Sequence, residues 1–535
     1  MRRIHQFTRR SGLLFLAFLS ACGESVSTTT GANETTPEIS TDIPLSSQSY
    51  SSSEIAPPTS SFSFNATPPP SSSFIGQTVS SSSFIEQIIA YSSFLEEISS
   101  SSEITPYSSF NEPPAQSSSS TIVEAIPLPN NGIPYLRITM ADTSSMDSVI
   151  YSPCTIEIAG NELYEDLSAA SAKIRLRGNS TRLWYDKKPY RIKFDAKTSV
   201  LGLDANKDWV LLANYRDQSK FMNAIAFDMA RYMGNFAFVN ANRFVEVEIN
   251  GDYKGVYQLT EQIEQAKARV NIGTEGILLS LDQDDGPELS PNATNNFYSK
   301  IYGMPVAVKY PKNVTTEEIE NIAIDFAKLE QAIANNDYDS VQNLLDVESF
   351  IDFILLQEIT RNVELEAPRS MYLYKDNSGK YHMGPVWDFD GGFGYSWDED
   401  TKEYFTSQTW ILGSKNPSKS PYNCIATEKN DWNMCAGTNM RFNDYDGNAI
   451  PGFFVNLFAN ETFLNTYKTR WESLKASILD IVFSKLDSYI SQSAQALEND
   501  AQRWPPVRRY DTEIQSLKNW LQERIENYSR ILDNY

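Results

Sequence analysis

The sequence predicts an α+β protein whose folded part, residues 127–535, has a β-rich first half and a helical second half. Three observations support this fold class. Residues 172–178 and 190–194 alternate apolar and polar side chains, which is typical of half-buried strands. The dipeptide Asn250-Gly251 separates two apolar segments and fits the type I′ turn of a β-hairpin. Apolar residues at helical spacing fill 317–336, so we expect two lobes, with strands before helices.

Local signals place the later elements in order. Thr315 and Thr316 can cap the first long helix, and Asp346 can cap a second one. A second hairpin is expected within 371–386, around a turn that contains Gly379. The chain is then expected to close with a helical run that begins at about Phe453.

Residues 1–22 have the layout of a secretory signal, because four arginines precede an apolar stretch, 13–19, that is too short to span a bilayer. The stretch ends in Leu-Ser-Ala-Cys22, which resembles the lipobox of bacterial lipoproteins. That resemblance implies a lipid anchor on Cys22 and an extracytoplasmic lipoprotein. Because Gly23 follows in place of aspartate, we favour the outer membrane or the cell surface. An ordinary signal peptide with a coincidental cysteine is the alternative.

Residues 23–126 are rich in Ser, Thr and Pro and contain neither Lys nor Arg. Such a composition cannot bury enough apolar surface to offset the entropy of ordering, so we expect a disordered tether. Within it, Phe74, Phe84 and Phe94 recur every ten residues after serines, in SSSFIGQ, SSSFIEQ and YSSFLEE. We interpret the period as a duplicated linker and not as a folded repeat, with partner docking by the aromatic residues as the alternative.

Charge and histidine content restrict the chemistry. The net charge of −23 argues against nucleic acid as a partner. Only two histidines occur, His5 in the signal and His382, which excludes multi-histidine metal sites. The reaction, if there is one, must therefore use carboxylates, Lys and Arg side chains and backbone dipoles.

Three cysteines follow the lipobox. In an oxidising compartment Cys424 and Cys435 are candidates for a disulfide bond that closes a short loop. Cys154 is then left over from this pairing, and we interpret it as a small buried hydrophobic residue.

Four basic residues lie within positions 177–188, among them Arg177, Lys187 and Lys188. In an acidic protein this concentration predicts a positive groove, and Lys and Arg are the natural partners of phosphate oxygens. A solvated strand face is the alternative. Glu261, which follows the Asn-Gly hairpin, could orient a strand lysine by an ion pair, or it could be a first-turn partner of a helix dipole.

Acidic residues concentrate in the second half of the domain. Asp388 and Asp390 lie in a Gly-flanked loop after the second hairpin, which suits a hard cation such as Mg²⁺. Glu364 lies in the loop that leaves the second capped helix. The order of basic strand, lone Glu, acidic loop and Asp-Phe-Asp-Gly supplies the parts needed for phosphoryl transfer, although the sequence has no Walker-type Gly-Lys-Ser/Thr loop.

These residues resemble the CotH kinase family, the atypical kinases first associated with spore coat protein H. The resemblance rests on IRLRGNSTRLWYDKKPYRIKFD, DWVLLANYRDQSKFMNAIAFDMAR, VEVEINGDYKGVYQLTEQIE, SMYLYKD and GPVWDFDGGFG. It implies a divergent bilobal protein-kinase-like fold, ATP and Mg²⁺ as cofactors, and transfer of the γ-phosphoryl group to Ser or Thr of an extracytoplasmic protein. It also implies that Lys187 or Lys188 and Glu261 contact ATP and that Asp390 binds the metal.

Two positions depart from the family pattern. Glu364 stands where the family has its catalytic aspartate, and Ser370 stands where an asparagine is expected. A misplacement of about 1 Å at a reacting centre can lower a rate by about a hundredfold. The alternative function is therefore a catalytically idle, kinase-like module that binds a cell-surface polysaccharide or protein.

Overall fold

The computed structural model describes residues 127–142, 146–365, 368–394, 452–506 and 509–535. The predicted signal peptide and tether lie outside the described residues. So do Cys22, Cys424 and Cys435, and the lipid anchor and the disulfide therefore stay predictions.

The first part of the described chain forms a closed barrel of seven strands. In chain order these are β1 (Tyr135–Met140), β2 (Ser152–Ala159), β3 (Leu167–Leu176), β4 (Tyr190–Val200), β5 (Leu203–Leu212), β6 (Arg243–Ile249) and β7 (Asp252–Glu261). The order around the barrel is β1-β2-β3-β4-β5-β7-β6. All neighbours are antiparallel except β1 and β6, which pair in parallel and close the barrel.

The barrel follows from the alternation that the sequence shows. Inward residues of successive strands, such as Ile138, Ile174 and Trp209, are fully buried in one apolar core. The β6–β7 turn is made by Asn250 and Gly251, whose φ angles of 50° and 80° are those of the expected type I′ geometry.

A second, five-stranded antiparallel sheet has the order β12-β11-β8-β10-β9. Its strands are β8 (Ile277–Leu281), β9 (Asn296–Tyr298), β10 (Pro305–Tyr310), β11 (Met371–Lys375) and β12 (Tyr381–Met383). The predicted second hairpin is β11–β12. It is shorter than expected, because its second strand ends before the Gly384-Pro385 bond, where the proline has no N–H to continue the ladder.

Helices occupy the connections as well as the C-terminal part. The short α1 (Ser180–Trp184) and the buried α2 (Met222–Met233) interrupt the barrel strands. The helices α3 (Thr316–Ala334), α4 (Tyr338–Leu344) and α5 (Val347–Thr360) separate β10 from β11. The capping predictions are confirmed, because Thr315 forms a capping box with Glu318 and the Asp346 carboxylate accepts the Ser349 N–H at 2.8 Å.

The C-terminal part contains α6 (Gly452–Val455), a 3₁₀ turn (Asn456–Ala459) and the helices α7 (Glu461–Lys475), α8 (Ile478–Arg503) and α9 (Tyr510–Asn534). These helices share one apolar core with α2, α5 and the five-stranded sheet. No helix in the described ranges is long and apolar enough to cross a membrane.

The predicted α+β class is confirmed, with a β-rich region and a helical C-terminal part. The closed barrel was not predicted, and strands and helices alternate after β7 instead of separating into two successive halves. Glu261 is the last residue of β7 and does not begin a helical turn. Cys154 is a free, buried thiol on β2, and burial raises its pKa to about 12.

Candidate active site

The Asp-Phe-Asp loop that follows β12 is held between two helices. The N–H of Phe389 donates to the Asn223 side chain on α2 at 2.7 Å. Asn362, just after α5, donates its side-chain N–H to the Asp388 carbonyl at 3.0 Å. A Cβ at Gly392 would lie 2.7 Å from the carbonyl oxygen of Thr360, so a side chain there would force the loop away from α5. The loop is thus fixed by packing and hydrogen bonds.

Three carboxyl groups meet at this loop, and we call Glu364, Asp388 and Asp390 the acidic site. Burial is the largest cause that raises the pKa of both Glu364 and Asp390, and the charge of Asp388 raises both further. Arg216 acts in the opposite direction and lowers the pKa of both groups.

Two arginines flank the acidic site. Arg216, which is almost fully buried, places its Nη1 3.7 Å from Oδ1 of Asp390. Arg177 follows β3, and its guanidinium lies 5.6 Å from the centre of the Trp387 ring. Burial lowers the pKa of Arg177, and the charge of Asp388 acts in the opposite direction. The predicted site residues Arg177, Asp388, Asp390 and Glu364 are therefore brought together.

Ser370 connects the acidic site to a further buried carboxyl group. Its hydroxyl is 3.2 Å from Oδ2 of Asp388, and its N–H donates to Oδ2 of Asp282 at 3.0 Å. Ser370 has a φ of 55°, which turns the backbone between the two contacts. Burial raises the pKa of Asp282 to about 7, with a further contribution from Asp285. Sequence reasoning missed Asp282, although it directly follows the apolar strand β8 and begins an acidic turn.

The loop between β5 and α2 was also missed as a part of the site. Asp217 holds the start of α2, because its carboxylate accepts the N–H groups of Ser219 and Met222, each at 2.8 Å. Its charge also raises the pKa of Asp390. The only sequence signal for this loop is the stretch 208–231, which resembles the CotH family as a whole and does not single out Arg216 or Asp217.

The structure places Lys187 away from solvent. Its Nζ donates to Oδ1 of Asp500 on α8 at 2.7 Å and to the Val256 carbonyl at 2.5 Å, and the side chain has no exposed surface. We call Lys187 and Asp500 the lysine pair. Lys220 lies next to it, and burial lowers the pKa of Lys220 to about 8, with the charge of Lys187 as the next cause.

Lys188 and Glu261 bind the protein backbone. Lys188 donates to the carbonyls of Arg182, at 2.8 Å, and of Tyr185, and so satisfies the end of α1. Glu261 accepts the Ala241 N–H at 2.8 Å. The expected ion pair between Glu261 and a strand lysine is not found among the described residues, because this backbone donor holds the carboxylate at the end of β7. Contact of Lys187, Lys188 or Glu261 with ATP stays a prediction.

The donor set of the acidic site fits a hard cation. Glu364, Asp388 and Asp390 supply carboxylate oxygens and Ser370 supplies a hydroxyl, which are the ligand types that Mg²⁺ prefers. The fit is one of ligand type, because no cluster of three or more His, Cys, Asp or Glu side chains in the described part of the chain is already arranged as a metal site.

The fold and the site together define an α+β protein with a half-buried acidic centre beside two arginines. A family model described as CotH kinase protein matches residues 174–528, from β3 into the last helix. Because the match covers more than half of the sequence, the chain belongs to the CotH kinase family, as the sequence motifs indicated. A comparison with curated proteins found no match.

Proposed function

We propose that this protein is an atypical kinase that transfers the γ-phosphoryl group of ATP to a Ser or Thr hydroxyl of an extracytoplasmic protein. Membership of the CotH kinase family supports phosphotransfer. The observation that carries the proposal is the arrangement of the acidic site, in which three carboxyl groups lie beside Arg177 and Arg216. Carboxylates for a metal and cations for phosphate oxygens are the groups that phosphoryl transfer requires.

In this proposal the two arginines bind phosphate oxygens. Both guanidinium groups are held near carboxylates, Arg216 by Asp390 and Arg177 by Asp388. The buried guanidinium of Arg216 has few water contacts to lose, and both guanidinium groups present donors in a planar fork that matches phosphate geometry. The nucleotide phosphates would therefore lie between Arg177 and Arg216.

Asp390 and Asp388 would hold Mg²⁺. A bound Mg²⁺ supplies neutralisation of the nucleotide's phosphate charge. Asp390 is the better direct ligand, because Asp388 already accepts from Ser370 and its backbone carbonyl accepts from Asn362. A bound cation would also offset the charge of Asp388, which contributes to the raised pKa of Asp390.

Glu364 would orient the acceptor hydroxyl and accept its proton. Burial raises the pKa of Glu364 toward neutrality, and this makes its carboxylate a stronger base than an exposed glutamate. The glutamate is one methylene longer than the family's aspartate. The 3₁₀ turn Val363–Leu365 sets the position of that longer side chain. The Arg369 N–H donates to the Glu364 carbonyl at 3.3 Å and holds this turn in place.

The test is phosphate transfer by the full chain. Purified protein is incubated with γ-labelled ATP, Mg²⁺ or Mn²⁺ and Ser-rich acceptor proteins, and incorporation is compared between wild type, Asp390→Ala and Asp533→Asn. Asp533 is an exposed acid at the end of α9 and serves as the matched control. We expect incorporation in wild type and in the control, and loss in Asp390→Ala. Absence of label in the folded wild type under all conditions would contradict the proposal.

A catalytically idle binding module is the second candidate. The observation that favours it is the departure from the family pattern at two positions, Glu364 and Ser370. In this case the site would display its arginines and acids to a surface polysaccharide or protein without transfer. ATP hydrolysis that disappears in Asp390→Ala would rule this candidate out.

The proposed location is the outside of a bacterial cell, with Cys22 as the lipid-bearing residue and residues 23–126 as the tether. Support comes from the lipobox-like Leu-Ser-Ala-Cys22 and the composition of residues 23–126. Metabolic labelling with a radioactive fatty acid should mark the wild-type chain and not Cys22→Ser. Equal labelling of both would contradict the lipid anchor.

A further inference from the structure

A line of four buried side-chain amides runs behind the acidic site. We call these residues the amide chain: Asn214 just after β5, Asn223 on α2, Asn242 just before β6, and Gln258 on β7. All four are less than a tenth exposed, and Gln258 is fully buried. A buried amide needs partners for both its N–H and its carbonyl group, so the position of each member depends on the next.

Each amide of the chain donates to the carbonyl oxygen of its neighbour. Nδ2 of Asn223 donates to Oδ1 of Asn214 at 3.3 Å, and Nδ2 of Asn214 donates to Oε1 of Gln258 at 3.0 Å. Nε2 of Gln258 then donates to Oδ1 of Asn242 at 2.8 Å. The hydrogen bonds therefore have one direction, from α2 through the barrel strand β7 to the residue before β6.

Backbone groups fix that direction at both ends of the amide chain. The N–H of Phe389 can only donate, and it donates to Oδ1 of Asn223 at 2.7 Å. The carbonyl of Ala224 can only accept, and Nδ2 of Asn242 donates to it at 3.0 Å. The two ends require the same orientation of all four amides, so none of them can turn over without losing its bonds.

The amide chain holds two separate parts of the candidate active site. At its end it fixes Phe389, the residue before Asp390. In its middle, Asn214 donates to the Lys220 carbonyl at 3.0 Å, and Nζ of Lys220 donates to the Asn214 carbonyl at 3.2 Å. These bonds close the loop that contains Arg216, whose Nη1 is 3.7 Å from Oδ1 of Asp390. One network therefore sets both the carboxylate and the guanidinium of that pair.

The far end of the amide chain is anchored to α8. Nδ2 of Asn242 lies 3.3 Å both from Oδ1 of Asp228 and from the Tyr489 hydroxyl. The Tyr489 hydroxyl in turn donates to Oδ2 of Asp228 at 2.6 Å, and Arg231 donates to Oδ1 of the same carboxylate at 2.6 Å. Burial raises the pKa of Asp228, whereas the hydrogen bond from Tyr489 and the charge of Arg231 lower it. The chain thus connects the acidic site to α8.

We propose that Gln258 is a positioning residue for the acidic site, although two other amides separate it from Phe389. Strand β7 is buried throughout 255–261, so an apolar residue would suit position 258 equally well if packing were its only role. Without the Gln258 amide, Asn214 loses its acceptor and is free to turn, which releases Asn223. The inference rests on the proposed function in that the Arg216–Asp390 spacing then serves phosphate and metal binding.

Hydrogen exchange of the Phe389 amide tests the positioning, and it needs neither nucleotide nor catalysis. The full chain is compared between wild type and Gln258→Met, which keeps the side-chain length and removes both polar groups. Mass spectrometry with fragmentation to single residues follows two amides of one loop, Phe389 and Phe393. The Phe393 N–H donates to the Thr360 carbonyl at 2.6 Å and serves as the internal control. We expect exchange about tenfold faster at Phe389 and unchanged at Phe393.

A matched variant separates positioning from a general loss of stability. Asn456→Leu also removes a buried amide, one that donates to the Tyr302 hydroxyl at 2.9 Å and is not a member of the amide chain. Its melting temperature should fall, whereas its Phe389 exchange should equal that of the wild type.

Gln258→Glu tests whether the donor at this position matters. At about pH 8 a carboxylate has no proton to donate to Asn242, so the variant should exchange at Phe389 as fast as Gln258→Met. At about pH 5.5 a buried glutamate keeps its proton and offers the same donor and acceptor as glutamine, so exchange should return to the wild-type rate. Each rate is divided by the wild-type rate at the same pH, because Asp228 and Lys220 are present in both proteins.

Several results would overturn the proposal: Phe389 exchange that is unchanged in Gln258→Met, faster exchange at Phe393 as well, faster Phe389 exchange in Asn456→Leu, or no recovery of Gln258→Glu at the lower pH. Where the wild type transfers phosphate, Gln258→Met should lower kcat/KM for Mg²⁺-ATP by about tenfold to a hundredfold, and an unchanged value would also overturn it. A wild type without transfer contradicts the proposed function, while the exchange rates still decide the role of Gln258.

Discussion

Two groups of charges in this protein, the fully buried lysine pair and the half-buried acidic site, are built in opposite ways. In the lysine pair, Lys187 meets the opposite charge of Asp500, which also accepts the Val256 N–H at 2.9 Å and the Tyr510 hydroxyl at 2.8 Å. In the acidic site, Glu364, Asp388 and Asp390 gather charge of one sign. The pKa of Asp500 is lowered, chiefly by Lys187 against the opposing effect of burial, whereas the pKa values of Glu364 and Asp390 are raised.

This difference indicates that the lysine pair serves the stability of the fold, whereas the acidic site serves ligand binding. The lysine pair connects the barrel to α8 and is complete within the protein, so no ligand is needed to balance it. In the acidic site the charge of Asp388 raises the pKa of Glu364 and of Asp390, although Arg216 acts in the opposite direction on both. Sites of this second kind are the ones that a cation or a phosphorylated ligand can fill.

The largest effect is expected on the lysine pair. Asp500→Ala would leave Lys187 buried and unpaired and remove the acceptor of the Val256 N–H, so we expect a loss of about 3–5 kcal/mol in the free energy of unfolding. Urea denaturation measures it. The control is Asp487→Ala, on the same helix as Asp500, which removes an exposed carboxylate paired with Lys518 of α9 and should change stability by less than about 1 kcal/mol. Equal losses of stability in the two variants would show that the buried lysine pair stabilises the fold no more than an exposed ion pair does.

Removing a charge from the acidic site should not destabilise the fold, in contrast to the lysine pair. Asp390→Asn removes one like charge, so we expect unchanged or higher stability but a loss of metal-dependent phosphate transfer on the order of a hundredfold or more. Asp388→Asn should weaken metal-dependent nucleotide binding less, because Asp388 is already bonded to Ser370. Calorimetric titration with Mg²⁺ and a nucleotide compares the two variants. A larger loss in Asp388→Asn would reverse our assignment of the direct ligand.

Glu364→Asp tests whether the extra methylene of Glu364 is needed for its carboxylate to reach the acceptor hydroxyl. We expect turnover to fall by about tenfold to a hundredfold, because the shorter side chain would no longer reach a hydroxyl for which the loop is positioned. Glu364→Gln should lower turnover as well. Both are measured as initial rates of phosphate transfer at saturating ATP. If neither substitution changes the rate, Glu364 is not the acid that accepts the proton.

The smallest effect concerns pH. An acid whose pKa is raised by folding binds more protons in the folded state, so its contribution to stability falls as pH rises from its unfolded pKa to its folded pKa. Glu364, Asp390 and Asp282 should therefore lower the free energy of unfolding progressively as pH rises from about 4 to about 8. Asp500, with a lowered pKa, loses its contribution only below about pH 4.

Thermal unfolding measured across this pH range checks the sign. Asp390→Asn should flatten the decline, and Mg²⁺ should raise the melting temperature more at the alkaline end, where the carboxyl groups have released their protons. A stability that rises with pH over this range in the wild type would contradict the raised pKa values.

Elements specified by neighbouring residues could be predicted from the sequence. The β6–β7 hairpin needs only two residues with positive φ at Asn250 and Gly251, and the start of α3 needs only Thr315 and Glu318. The acidic loop was predictable for the same reason, since Asp388 and Asp390 are separated by one residue. Glu364 required the family resemblance, because its approach to the loop depends on how α5 packs.

Contacts between distant residues could not be predicted. Closure of the barrel depends on the parallel pairing of β1 and β6, which have more than a hundred residues between them. The sequence predicts that Lys187 binds phosphate, whereas the structure pairs it with Asp500. Asp500 lies 313 residues away, so no local pattern indicates that pairing. Arg216 and Asp282 were missed for the same reason. Arg216 joins the site through its contact with Asp390, and Asp282 joins it through the N–H of Ser370, and both contacts depend on how distant loops pack.

The long separation within the lysine pair also affects how the chain folds during synthesis. At roughly 5–20 residues per second, a ribosome needs about 15–60 s to travel from Lys187 to Asp500. Throughout this delay the nascent barrel would contain a buried lysine without its counter-charge, which opposes full desolvation of that end of the barrel. The barrel can therefore collapse early, but its final packing has to wait for α8, and a chain that stops short of residue 500 should remain open to proteases.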